Sequence, residues 1–411
     1  MAVAVVASNA IGLAFTIVFA RILGASGYGS LAVLVSAWII LMVPGSALQV
    51  AVAREVSRAT SSASDAAGAG VVRWLERLAL ATLVVAVLAI PLRGVIASIV
   101  NVEEEWAAAA VPVSGMLWAF LSVERGALQG FGSYRPVALS VIGEATTRLL
   151  FALALVGLGL DVTGAFLGTA LSLVAMALVL GVVLRPRLPR ADHPAVGLSR
   201  LRDLLVQARV PVAALTLLFA LQELPVIVVK HEASGPIAGA YAVAAVAAKS
   251  IIWVAVGLGL YLVPEAARRS ESGADARPIL LRMLGLIAVF SAPAMLIFGF
   301  AAEPLLSAAF GDDLTAGASA LPWLGLAMIL LACTYLAVQY MLALGRAVFI
   351  WALAVAAAIE VPLVAHFGDD LRDVAVALCG LELACAAVVV GTAVYGGRAG
   401  RVQQPASGPG I

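Results

Sequence analysis

The sequence predicts an all-α polytopic membrane protein with about twelve transmembrane helices. Composition, the number of long apolar runs and the placement of arginine in the loops all lead to this prediction. Hydrophobic residues make up 63% of the 411 residues and charged residues only 12%, whereas soluble domains are about 45–50% apolar and about 25% charged. The net charge of +1 provides no basic face, so we expect no nucleic-acid partner.

Apolar runs long enough to cross a bilayer recur along the whole chain. Each crossing needs roughly 20 apolar residues as a helix. We predict twelve spans, at about 2–20, 30–52, 76–98, 107–124, 137–159, 162–184, 204–229, 236–262, 279–300, 318–341, 347–366 and 374–395.

The loops between these spans alternate in charge. Arginine is concentrated in every second loop and in the tail, while the other loops are mainly acidic. Since basic loops stay in the cytoplasm, both termini are predicted to be cytoplasmic. That orientation requires an even number of spans, which agrees with twelve.

A weak internal repeat divides the spans into two sets of six. When the chain is shifted by 210 residues, "GSLAVLVSAW" from Gly29 faces "GAYAVAAVAA" from Gly239. Two parallel six-helix halves around a central cavity are typical of transporters. The predicted units are a first half at 1–184, a cytoplasmic linker that begins an amphipathic helix at 185–203, a second half at 204–395 and a disordered cytoplasmic tail at 396–411.

Three stretches of the sequence carry a family resemblance. They are "FARILGASGYGSLAVLVS" (19–36), "GALQGFGSYRPVAL" (126–139) and "LQELPVIVVKHEASGPIAGAYAVA" (221–244). In this order they resemble polysaccharide biosynthesis and export proteins, the oligosaccharide-lipid flippase family of the multidrug/oligosaccharidyl-lipid/polysaccharide (MOP) exporter superfamily. One departure is Pro225, which stands where many relatives carry an aspartate, with Glu223 close by. Another is the number of spans, which is usually fourteen in the lipid II flippase branch.

The resemblance implies a function in the cytoplasmic membrane of a bacterium. It implies a transporter that flips a polyprenyl-diphosphate-linked oligosaccharide, a cell-surface polysaccharide precursor, across the bilayer by alternating access, beside a polysaccharide polymerase or ligase. A cation or drug antiporter of the same superfamily is the alternative. A membrane glycosyltransferase or polymerase fits less well, because no outer loop is long enough for a catalytic domain. We expect neither an enzyme nor a cofactor, since nucleotide-binding and hydrolase motifs are absent from the sequence.

Charged residues inside the spans are the candidate site. Glu144 and Arg148 lie one helical turn apart, acid first, near the middle of a predicted span. Arg148 offers a bidentate guanidinium to a phosphate, and Glu144 is expected to hold it between substrates. Alternatively, the pair only locks helix packing. Lys249, mid-span, and Arg21, in the first loop, are the other candidate substrate-binding cations.

Acidic residues and a proline bend complete the set of candidates. Glu223, Glu360 and Glu382 are possible proton carriers for coupling, although structural pairing is the alternative for each. Pro44 and Gly45 are the candidate hinge within the second span, with a static kink as the alternative. The three cysteines lie in apolar runs and their spacing matches no metal motif, so no metal site is expected.

Overall fold

The computed structural model describes residues 2–61, 66–188, 209–272, 274–368 and 370–396. All regular structure in these ranges is helical, which confirms the predicted all-α class. Most of the predicted linker and its amphipathic helix, and nearly all of the predicted tail, lie outside the described residues.

Twelve α-helices and two short 3₁₀ helices make up the described chain. The α-helices are α1 (Ala2–Ser61), α2 (Ala66–Val100), α3 (Glu105–Gly130), α4 (Tyr134–Gly157), α5 (Asp161–Leu184), α6 (Arg209–Glu232), α7 (Gly235–Glu271), α8 (Arg277–Phe300), α9 (Ala302–Phe310), α10 (Leu321–Ala343), α11 (Phe349–Phe367) and α12 (Leu371–Tyr395). The 3₁₀ helices are Arg185–Arg187 and Asp312–Ser319.

The first two predicted spans are joined in α1 without an intervening loop. A straight helix of 60 residues is about 90 Å long, about three times the hydrocarbon thickness of a bilayer. Gly24 breaks it, with φ 65° and ψ −176°, a conformation open to glycine because it lacks Cβ. Eleven described helices are long and apolar enough to cross a membrane. Because α1 contains two of the predicted spans, this observation agrees with the sequence.

The helices pack in two groups. Within the first, α1 and α2 pack on α3, and α4 packs on α5; within the second, α7 and α12 pack on α10, and α11 packs on α6 and α12. The groups meet mainly where α1 contacts α6 and α7. The exact boundaries of the two halves stay a prediction.

A close contact between the groups joins the two copies of the sequence repeat. A Cβ added to Gly29 would lie 3.0 Å from the backbone nitrogen of Gly239, and one added to Gly239 would overlap the carbonyl oxygen of Ala25. Gly235, which is 210 residues after Ala25, packs on the side chain of Ser26, and a Cβ added to it would overlap the Ser26 hydroxyl. We call these five residues the glycine seam. Their packing allows the backbones of α1 and α7 to touch.

Two hydrogen-bonded links lie at the same end of the bundle as the seam. Arg21 donates to the carbonyl oxygens of Ala308 and Ala309, the latter at 3.0 Å. The amide of Asn101 donates to the carbonyl oxygen of Lys230 at 2.7 Å. The seam and these links connect the two groups of helices at the end that the charge pattern predicts to be outside.

Candidate functional site

A small pocket lies between α6, α7, α10, α11 and α12. The space between its lining atoms, counted out to the open mouth, is about 330 Å³. Lys249, Glu360 and Glu382 contribute its charged lining, together with the polar side chains of Gln222 and Tyr241. Three candidates that the sequence identified separately therefore meet at one place.

The fourth candidate of this group, Glu223, neutralises Lys249. The Nζ of Lys249 lies 2.7 Å from Oε2 of Glu223, whose side chain is 1% exposed. The same oxygen accepts a hydrogen bond from the hydroxyl of Ser36 at 2.7 Å, and Gln222 donates to Oε1 at 3.0 Å. Because Ser36 belongs to α1, this network also links the two groups of helices. The positive charge of Lys249 is thus already balanced.

Glu360 and Glu382 differ from Glu223 in having no such neutralising network. Both are buried, and within the described ranges none of their four carboxyl oxygens has a hydrogen-bond partner. Burying a charge without a partner is costly. These carboxyl groups therefore need either a proton or a cation from outside the protein, a requirement that fits a coupling site.

The expected pairing of Glu144 with Arg148 is wrong. Instead, Oε2 of Glu144 lies 3.1 Å from the guanidinium of Arg125 on α3. Arg125 also donates to the hydroxyl and carbonyl oxygens of Ser140, each at 3.0 Å. Ser140 lies one turn before Glu144 on α4, so Arg125 binds two successive turns of that helix. The spacing of charges along the sequence does not predict this partner for Glu144.

Among the described residues, no carboxylate forms a direct ion pair with Arg148. Its guanidinium carbon lies 5.2 Å from the ring centroid of Phe15 on α1, a cation–π contact. A Cβ added to Gly12 would lie 3.6 Å from Nη2, so the glycine leaves room for the guanidinium. Its Nε is buried without a hydrogen-bond partner, and Arg148 forms no ion pair with any other residue that the structure describes.

The remaining candidates lie elsewhere. Arg21 is exposed and binds carbonyl oxygens at the end of α9, so the structure places it in a link between helix groups, away from the pocket. At Pro44 α1 remains helical, and a Cβ added to Gly45 would lie 2.7 Å from Cδ1 of Trp118. Gly45 thus permits close packing against α3, while the observed break in α1 is at Gly24. The hinge role of Pro44 and Gly45 stays a prediction.

Sequence reasoning missed Arg125, because it ended the fourth span at residue 124 and assigned this arginine to a loop. The helix α3 continues to Gly130, and Arg125 is buried. Gly126 and Gly130, one turn apart, are the sequence feature that could have indicated that the helix continues past Arg125. A Cβ on either would collide with α1, so this stretch packs as helix. Within the ranges given above, no group of three His, Cys, Asp or Glu side chains is placed to hold a metal ion.

Comparison with known proteins establishes the fold. The sequence matches no protein-family model and no curated protein. Among solved structures, it matches an inward-facing multidrug resistance MATE family transporter of the MOP superfamily with a TM-score of 0.79, at 14% identity over 94% of this chain and 93% of that chain. An outward-facing structure of such a transporter gives 0.62, at 15% identity over 96% and 92%.

A flippase has the same fold. The lipid II flippase MurJ, in an inward closed conformation, matches with a TM-score of 0.74, at 13% identity over 95% of this chain and 86% of that chain. The chain therefore has the fold shared by MOP superfamily transporters, which confirms the fold expected from the sequence resemblance.

Proposed function

We propose that this chain is an alternating-access transporter that flips a polyprenyl-diphosphate-linked oligosaccharide across the bacterial cytoplasmic membrane. The environment of Arg148 is the observation on which the proposal rests. It is a cation inside a membrane helix, its Nε is unpartnered, and no carboxylate of the described residues lies within ion-pair distance of it. Such a charge is expensive in a bilayer and usually marks a substrate path. A guanidinium also matches the geometry of a phosphate, with two parallel hydrogen bonds.

The second group of helices contains the acids that would couple transport to a proton or a cation. Glu360 and Glu382 carry no counter-ion among the described side chains, so proton or cation exchange there would change the charge of the pocket. The link from Glu223 to Ser36 connects this pocket to α1, the helix on which Arg148 rests. The sugar head would cross between the helix groups while the polyprenyl tail stays in the bilayer, and a polymerase or ligase would use the product outside.

Replacing Arg148 by alanine is expected to slow flipping about tenfold or more, because a charge-assisted hydrogen bond to the diphosphate is lost. The measurement is mass spectrometry of polyprenyl-linked glycans in cells depleted of the protein and complemented with each variant. Wild type and the control Arg282→Ala, an exposed arginine on α8, should clear the accumulated lipid-linked glycan. If Arg148→Ala clears the glycan as fast as wild type does, Arg148 has no role in flipping. If no lipid-linked glycan accumulates when the protein is depleted, the result argues against a flippase.

A cation or drug antiporter is the second candidate, favoured by the two unpartnered acids of the pocket. If it is correct, vesicles containing the protein should move ethidium against a proton gradient. Glu360→Gln and Glu382→Gln should each abolish that movement, because the neutral amide can no longer bind a cation or exchange a proton. Glu124→Gln is the matched control, a buried acid on α3 with one unpartnered oxygen. Ethidium movement absent from wild-type vesicles would contradict the antiporter.

A further inference from the structure

Glu144 stands between two arginines, but it is bonded to only one. Arg148 follows it by one turn on α4, at the spacing that favours an acid–base pair. Arg125 approaches from α3, and its Nη2 takes the carboxylate at 3.1 Å. The choice between these two partners decides whether Arg148 has a carboxylate bonded directly to it.

Several contacts fix Arg125 in place. Its side chain is only 3% exposed, and its guanidinium carbon lies 5.3 Å from the ring centroid of Trp118. Nε and Nη2 bind the hydroxyl and carbonyl oxygens of Ser140 at 3.0 Å each. The Ser140 hydroxyl in turn donates to the carbonyl oxygen of Val137 at 2.8 Å. Arg125 is therefore a rigid donor that Glu144 can bind without further rearrangement.

Arg148 has no comparable set of donors and acceptors around it. Its contact with Phe15 uses the face of an aromatic ring, which orients a guanidinium without neutralising it. If Glu144 were released from Arg125, it would be a buried carboxylate in need of a cation. Arg148, one turn away on the same helix, is the cation within its reach.

We propose that Arg125 is a positioning residue that holds Glu144 away from Arg148 and so preserves the charge of Arg148 for an anionic substrate group. This inference rests on the proposed function, because it assigns Arg148 an anionic ligand. Removing Arg125 lets Glu144 turn to Arg148 and compete with that ligand. Removing Glu144 as well eliminates the competitor, so the second change repairs the first.

The test is the binding of farnesyl diphosphate, a short polyprenyl diphosphate, to the purified full-length protein in lipid nanodiscs. Farnesol is the uncharged control probe. Arg125→Met is expected to weaken diphosphate binding about tenfold, as when a charge-assisted hydrogen bond is lost. Arg125→Met/Glu144→Gln is expected to bind within about threefold of wild type, whereas Glu144→Gln alone should bind at least as well as wild type. A double variant that stays as weak as Arg125→Met overturns the inference.

If Arg125→Met does not fold, a milder change, Ser140→Ala with and without Glu144→Gln, tests the same inference. Ser140→Ala removes one of the contacts that orient Arg125 and should weaken binding by a smaller factor, and Glu144→Gln should restore it. If the added Glu144→Gln gives no recovery in this pair, the inference is also overturned. Arg148→Gln distinguishes a failure of the proposed anion site from a failure of the role assigned to Arg125. If it binds the diphosphate as wild type does, the proposed anion site itself is wrong; if it abolishes binding while the double variants show no rescue, only the role of Arg125 fails.

Discussion

Gly239→Ala is expected to open the protein at the glycine seam. The new Cβ would overlap the carbonyl oxygen of Ala25, and backbone atoms there have no flexible end to move aside. Overpacking of this kind costs about 1–3 kcal/mol. Since 1.4 kcal/mol is a factor of ten in an equilibrium constant, the closed arrangement should lose about tenfold in population relative to arrangements in which α1 and α7 are apart.

Cysteine labelling measures this shift. Ser26, in the seam, is changed to cysteine in a background without the native cysteines and exposed to a membrane-impermeant maleimide from outside. Gly257→Ala is the matched control, because a Cβ there, on the same helix α7, meets nothing within 4 Å. Labelling should be faster in Gly239→Ala than in the control. Equal rates in the two variants would show that the seam does not govern access to this end.

Lys249→Met is expected to destabilise the protein by about 3–5 kcal/mol, because it leaves the buried carboxylate of Glu223 without its cation. Ser36 and Gln222 still donate to that carboxylate, but they supply no charge. Changing Glu223 to Gln in addition removes the stranded charge. The double variant should therefore recover most of the lost stability.

Thermal unfolding of the purified variants tests this expectation. Lys230→Met serves as the control, since Lys230 lies near the end of α6 and, within the described ranges, its side chain forms no ion pair. The melting temperature should fall for Lys249→Met, recover in the double variant and stay near that of wild type for Lys230→Met. A double variant less stable than Lys249→Met would mean that the carboxylate is stabilised without the lysine.

The fold was largely predictable from the sequence, because apolar periodicity and loop charge reflect the bilayer directly. The repeat also pointed to Gly29 and Gly239, although not to their contact. The sequence suggested that a short loop joins the first two helices. In the structure a single residue, Gly24, separates the two helices, because glycine adopts a positive φ without strain. Helical geometry resumes at the next residue.

The site was less predictable, because its pairs are made by packing rather than by sequence spacing. Glu144 and Arg148 have the spacing of a helical ion pair, yet Arg125, nineteen residues before Glu144, is the partner. Glu223 and Lys249 are similarly joined across two helices. Local spacing identifies which charges lie within the membrane, whereas only the tertiary arrangement decides which of them are neutralised.

The glycine seam has a mechanical consequence. It holds α1 to α7 largely through van der Waals contact between backbones, and such attraction has a very short range: a gap of about 0.5–1 Å already forfeits about a quarter to a half of it. At that separation the hydrogen bonds of Arg21 and Asn101 at the same end still connect the two groups of helices. The attraction of the seam itself therefore acts mainly over about the first 1 Å of separation, so a small displacement of α1 from α7 already weakens this contact.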